Sequence, residues 1–461
     1  MRLVGKVVVP PTVRARHTLT TYPLGSSQRS ARRNQRHDQT HRRHNDAMTA
    51  RRPPHRLTTT TAVAALLAAT LLGACGSGPD PATTRSPASA SDTPASPTPT
   101  PSPTPFNVYG HAQTGMFTGA AKEAKKLVYV PNTLADTVQV IDPATYEIVD
   151  RFAVGRQPHH VVPSWDLKTL WVNNTQGNSL TPIDPATGKP GTPVPVEDPY
   201  NLYFTPDGSA AVVMAERLRR IDILDPHTMA LQRSLPVPCS GVNHADYDKD
   251  MNVFVASCEF SGQLLVIDKD FTKVITTIDL NTIVTPGATS PQEARHSGLP
   301  QAGIDQGASA MPQDVRLSPD GRYFLACDML RNGVWVIDAS TYEYVKFVET
   351  GRGTHSIYPS RDATRLFVSN RDEGTVVVLD AATLEKTAKW TIPGGGSPDM
   401  GGVTADGREL WLSGRYNSEV YVFDTETGEL THRIKTDPGS HGLAVWPQPG
   451  RFSLGHTGNM R

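Results

Sequence analysis

Four histidines stand at the same place in four copies of one short phrase: His159 in HHVVPSWD, His244 in NHADYDKD, His355 in HSIYPSRD and His441 in HGLAVWPQPG. Aligning the other copies on their turns puts Asn201 with Tyr200, Asp314 with Gln313, and Asp399 with Met400 at that point, while His160 directly follows His159. Neutral imidazoles converging with a carboxylate suit copper, zinc or iron. His159, His244, His355 and His441 are therefore a candidate metal set, and a transition metal is the cofactor such a ring would take. Protonated imidazoles would hold the anionic edge of a ligand instead. After the next strand of each copy comes a second polar set: Asn174, Glu216, Glu259, Asp328, Arg371, Arg415 and Tyr416. The candidate ligand-binding residues are thus His159, His160, Asn201, His244, Asp314, His355, Asp399 and His441, with Arg371 and Arg415. The competing reading is structural: polar side chains at one repeated position bind each other and channel water at buried strand ends.

Side chains from separate copies meet only if the copies surround a common axis. A second marker supplies the period. An aliphatic pair followed by Asp and a turn recurs at Asp142, Asp184, Asp225, Asp268, Asp338, Asp380 and Asp424, in steps of 42, 41, 43, 70, 42 and 44 residues. Ser397 to Ile434 displays one whole unit, with GGVT, ELWLSG, EVYVFD and ELTHRI as strands separated by Gly, Asp and Asn turns. Four strands per period of about 40–45 residues is the pattern of a propeller blade. The regular Asp residues mark turns, through bonds to the following backbone. Trp335 and Trp411, at alternating strand positions, read as core. The first blade, from LVYVPN, lacks a first strand upstream, and HGLAVW is left over at the other end. The expected fold is all-β: a single seven-bladed β-propeller whose C-terminal strand completes the first blade and removes an open edge, preceded by a disordered N-terminal tail.

VYVPN at Val128 to Asn132, WVNN at Trp171 to Asn174, FVSN at Phe367 to Asn370 and SPDG at Ser318 to Gly321 resemble the YVTN-repeat propeller family. The resemblance covers roughly residues 126–450 and extends to cytochrome d1-like and lactonase-like propellers. It implies fold far more specifically than activity. Three functions follow as expectations. One is a non-enzymatic binding module for a protein or small-molecule ligand at the tunnel mouth. The second is a metal- or haem-dependent redox propeller with a His-ringed site. The third is a lactonase-like hydrolase, suggested only by PHHVV at Pro158 to Val162.

The formal net charge is zero, so no global field argues for nucleic acid as a partner. Residues 1–47 are rich in Arg, His and Gln without periodicity and read as an extension ahead of the true start at Met48. Within 48–75, Arg51, Arg52 and Arg56 precede an apolar Thr61 to Leu72, and LLGAC ends at Cys75. That order is a signal peptide closing on a lipobox, so lipidation is expected at Cys75; an ordinary secretory signal is the alternative. The expected location is the outer side of the cell membrane, with the membrane as a partner through the lipid anchor. Residues 76–105, rich in Pro, Ser and Thr, would act as an extended spacer, leaving 106–461 for the propeller. Cys239 and Cys258 flank one antiparallel strand pair, so a disulfide between them is expected outside the cytoplasm. Cys327 reads as a small buried residue. No CxxCH is present, which leaves covalent c-type haem unsupported. The 70-residue step reflects an insertion, Asn281 to Met311, that would cap the central opening.

Overall fold

The computed structural model describes residues 106–284 and 304–461. The readings at 1–105, including Cys75, and most of the proposed cap lie outside them. Seven antiparallel sheets surround one axis. Blade 1 runs from its inner strand Ala444–Trp446 through Leu127–Asn132 and Thr137–Asp142 to Glu147–Ala153 at the rim. Blade 2 is Pro158–Pro163, Leu170–Asn174 and Ser179–Asp184, whose last strand pairs with two short pieces, Lys189–Pro190 and Val194–Pro195. Gly191 and Pro193 interrupt what would otherwise be one outer strand. Blades 3 to 7 begin at Pro199–Phe204, Val242–Tyr247, Pro312–Leu317, Thr354–Pro359 and Pro398–Val403, each followed outward by three more strands in chain order. Among the described residues helix is confined to short 3-10 turns.

The burial pattern explains the sequence pattern. Inner strands are sandwiched between neighbouring blades, so both faces are covered and simple alternation disappears. Tyr323–Asp328 and Thr375–Asp380 are buried almost throughout, whereas the rim strand Lys386–Thr391 is exposed except at Trp390. Charged residues on such rim strands discourage edge-to-edge pairing. Trp335 and Trp411 are fully buried between blades, as expected of core. All seven marker aspartates accept turn hydrogen bonds: Asp142 from the Ala144 N–H at 2.8 Å, and Asp424 from the Thr427 N–H at 2.7 Å, are typical.

The ring closes as the offset repeats predict. Ala444–Trp446 pairs antiparallel with Leu127–Tyr129, setting Trp446 opposite Leu127. Trp446 is 2% exposed and packs with Tyr129 and Val138. Beyond it, residues 447–461 turn back under the ring and plug the end of the channel where the inner strands finish. The Phe204 N–H donates to Leu454 O at 2.9 Å, and Asn459 Nδ2 donates to Ala245 O at 3.1 Å. Fully buried Arg316 donates to Asn459 Oδ1 and the Thr457 carbonyl. Arg461 Nη2 lies 3.0 Å from Asp246 Oδ1. Cys239 and Cys258 are joined, with Cα atoms 6.0 Å apart, and Cys327 is a free buried thiol.

Two outcomes test this account. Deleting residues 438–461 removes both the closing strand and the plug, so calorimetry should find the cooperative transition lost or moved far down; an unaltered melt contradicts the closure. Replacing Cys239 and Cys258 by Ser should cost about 3 kcal/mol in chemical denaturation, the entropy of closing a loop this short. A change near zero would show that the crosslink leaves the unfolded chain unconstrained.

Candidate metal and ligand site on the channel axis

The side chains at the strand entrances owe their direction to a repeated irregularity. In blade 4 Val242 faces Cys258 and Ala245 faces Ala256, so three residue steps oppose two. The same extra residue occurs at the entrance of blades 2, 5, 6 and 7, and blade 3 has its own register shift at Met214 and Ala215. A bulge bends the strand and breaks strict alternation, so adjacent residues can be re-aimed. Its occupants are His159 and His160 in blade 2, Asn243 and His244 in blade 4, His355 and Ser356 in blade 6, and Asp399 and Met400 in blade 7.

Six imidazoles meet on the axis: His159, His160, His244, His355, His441 and His456, each no more than 5% exposed. Ring centroids lie 4.8 Å apart for His159 and His441 and for His160 and His441, 5.6 Å for His160 and His244, and 6.2 Å for His244 and His355. The sixth, His456, comes from the C-terminal plug and lies against the others with its ring tilted, its centroid 3.9 Å from that of His160 and 5.2 Å from that of His244. Gly442 makes room for this arrangement, since a Cβ there would fall 2.0 Å from His160 Nδ1.

Asp399, fully buried, organises the upper side. His441 Nδ1 lies 2.5 Å from its Oδ2, while Arg371 donates through Nε and Nη2 to its Oδ1 at 3.1 and 2.5 Å. His355 Nδ1 is 3.0 Å from Oδ1 but too poorly aligned to bond well. Burial pushes the Asp399 carboxyl up, but the Arg371 guanidinium together with His441 and His355 outweighs it and holds the group well below the carboxylate range. Burial pushes all six imidazoles down, helped by Arg415 at His159 and His441, by His456 at His160 and by His355 at His244. His355 falls to about 4 through burial and Arg371. Burial thus favours the neutral form of these rings, the form that metal coordination needs. Asp399 accepts the Nδ1–H of His441, which leaves the lone pair of that ring on Nε2.

Six imidazole nitrogens have no hydrogen-bond partner among the described residues: both of His160, Nδ1 of His355, and Nε2 of His244, His441 and His456. Others are tied to the wall, His159 Nδ1 to Thr175 Oγ1 at 3.2 Å and His244 Nδ1 to Asn201 Nδ2 at 3.3 Å. Among the described residues no three His, Cys, Asp or Glu side chains already stand at ligand distance from one point. Holding an ion therefore requires ring rotation, which the broad χ2 of histidine permits.

Of the residues singled out from sequence, His159, His160, His244, His355, Asp399 and His441 do converge, with Arg371 and Arg415 above them. Asn201 belongs to the wall, bonded to Asn243 O at 3.1 Å and Tyr203 Oη at 3.2 Å. Asp314 lies lower, accepting from the Ile357 N–H at 3.2 Å and facing Arg316 at 4.0 Å, and burial pushes its carboxyl up to about 7. Asp328 is absorbed by Met311, Leu330, Arg331 and Trp335 Nε1 and takes no part in the channel. His456 escaped the sequence reading because it lies outside the repeat; its only signal is a histidine between two glycines, Gly455 and Gly458, both with positive φ.

Comparison with known proteins places this geometry. No curated protein matches the sequence significantly. A functionally unknown protein from Desulfotomaculum acetoxidans DSM 771 superposes with a TM-score of 0.54 at 15% identity, covering 70% of this chain and 99% of that one. Hydrazine synthase of Kuenenia stuttgartiensis gives 0.52 at 16%, covering 73% and 99%. The dihydro-heme d1 dehydrogenase NirN, solved with DHE, gives 0.50 at 17%, covering 75% and 83%. At these identities the likeness is one of fold alone. The sequence profile of the YNCE-like beta-propeller family matches residues 105–237 and 303–449, and the chain belongs to that family.

Proposed function

We propose that this protein is an extracytoplasmic, lipid-anchored binding propeller whose axial imidazoles take a divalent transition metal, copper in preference to zinc. One observation carries the metal: buried imidazoles from five segments of chain leave six nitrogens without a hydrogen-bond partner around one axis. Each such atom costs about 1–3 kcal/mol when buried unsatisfied, and coordination would remove that cost for those it reaches. Imidazole sets favour copper over zinc by intrinsic affinity. His441 is the best prepared ligand, since Asp399 accepts from its Nδ1 and leaves Nε2 toward the axis. His160, 4.8 Å from His441 by ring centroid, and His244 and His456, both beside His160, carry further unpartnered nitrogens.

A macrocycle suits the channel poorly. Imidazole centroids 3.9 to 6.2 Å apart fill the axis and leave no slot for a flat tetrapyrrole. Among the described residues no set favours the hydrolase. The anchor rests on the lipobox at Cys75 and the Pro-rich spacer behind it, and the disulfide is consistent with export.

Protein purified without chelator and challenged with copper or zinc should retain about one ion per chain by elemental mass spectrometry, where one ion is the stoichiometry of a single axial site. His441→Ala combined with His456→Ala should lose it with little change in thermal unfolding. Retention by the double variant, or none by the parent, overturns the metal. Affinity should fall as pH falls, but only well below the ordinary histidine range, because burial has already lowered proton affinity at these rings. Separately, Cys75→Ala should release the protein from membranes or block its processing; a variant that stays membrane-bound with unchanged mass argues against the anchor.

A further inference from the structure

Above the imidazoles, the mouth of the channel carries opposite charges that do not meet. Glu216 and Glu259 project from the inter-strand connections of blades 3 and 4 and share Asn243, whose Nδ2 donates to Glu259 Oε2 at 2.6 Å and Glu216 Oε1 at 3.4 Å. Burial raises both carboxyls, and Glu216 is raised further by Glu259. Arg371 and Arg415 project from blades 6 and 7, on the other side of the seven-membered ring. Arg371 is already neutralised by Asp399 and is further fixed by Tyr416 Oη at 3.3 Å. Arg415 is not: its Nη1 is buried without a hydrogen-bond partner, and no carboxylate lies within 4.0 Å among the described residues. Tyr200, 8% exposed, lies on the channel wall, its ring 4.7 Å from that of His159 and its hydroxyl kept protonated by burial and by Glu216 and Glu259.

The rigid ring prevents these charges from collapsing onto each other. A plain cation would satisfy the glutamates and leave Arg415 unpaired; a plain anion would do the reverse. Only a ligand with both signs answers both sides, its ammonium donating to the glutamates and its carboxylate accepting from Arg415. We propose that the channel mouth binds a small zwitterion, an amino acid or ω-amino acid, with its ammonium between Glu216 and Glu259 and its carboxylate on Arg415. This site is separate from the axial imidazoles and does not rest on the metal reading.

Calorimetric titration of the full chain with glycine, β-alanine and 4-aminobutanoate tests it, the series spanning increasing charge separation, with methylamine and acetate as single-charge controls. At least one zwitterion should bind saturably, and both controls on the order of tenfold more weakly, the worth of one charge-assisted hydrogen bond. Arg415→Gln should weaken the zwitterion by a similar factor, as should Glu216→Gln combined with Glu259→Gln. Metal content should not change in the Glu216→Gln, Glu259→Gln variant, so failure of this proposal is distinguishable from failure of the metal site. Saturation by none of the zwitterions, equal binding by either control, or undiminished binding by the variants overturns it.

Discussion

Three residue pairs between Ala444–Trp446 and Leu127–Tyr129 join the two ends of the described chain, and everything on the axis depends on that pairing. Seven sheets converge on one line only while the ring is closed. The same pairing positions His441 three residues before Ala444 and fixes where the chain turns back to form the plug. Its consequences reach the far side of the ring: Arg316 of blade 5 and Asp246 of blade 4 make their buried polar contacts with residues 457–461, downstream of the closing strand. Closure and site are therefore one structural event, since the strand that completes blade 1 is followed by the segment carrying His456.

Electrostatics on the axis are arranged by burial rather than by net charge. The chain is neutral overall, yet within the channel burial pushes six imidazoles down and the Glu216 and Glu259 carboxyls up, while Arg371 and the neighbouring histidines hold Asp399 down. Neutral rings are what metal coordination needs, and ionised Asp399 is what orients His441. Arg371 thus acts on the site without touching the imidazole nitrogens, by holding the charge of the residue that does.

Much of this was legible in the sequence because a repeat converts spacing into geometry. The seven aspartates ending third strands gave the blade count, and the offset between their set and the first-strand phrases gave the closing strand. The convergence of His159, His244, His355 and His441 followed from their common place in the repeat. What was not legible has definite causes. A bulge shifts facing by one residue, and no period reveals whether Asp314 or its neighbour turns inward; here Asp314 is held low by the Ile357 N–H and Arg316. Asp328 holds the channel position of its blade in sequence, but its carboxylate accepts from Trp335 Nε1 at 2.8 Å. His456 belongs to no repeat, and its position is determined by tertiary bonds that sequence spacing cannot express.

The central claim is that the unpartnered imidazoles form a metal site built jointly by the blades and the C-terminal plug. An anomalous difference map collected at the absorption edge of copper, from crystals of the copper-loaded chain, tests this most directly. The account predicts one peak on the channel axis within bonding distance of His441 Nε2 and at least two of His160, His244 and His456. A peak confined to surface histidines, or an axis occupied only by water, would contradict it and leave the ring as a structural hydrogen-bond network.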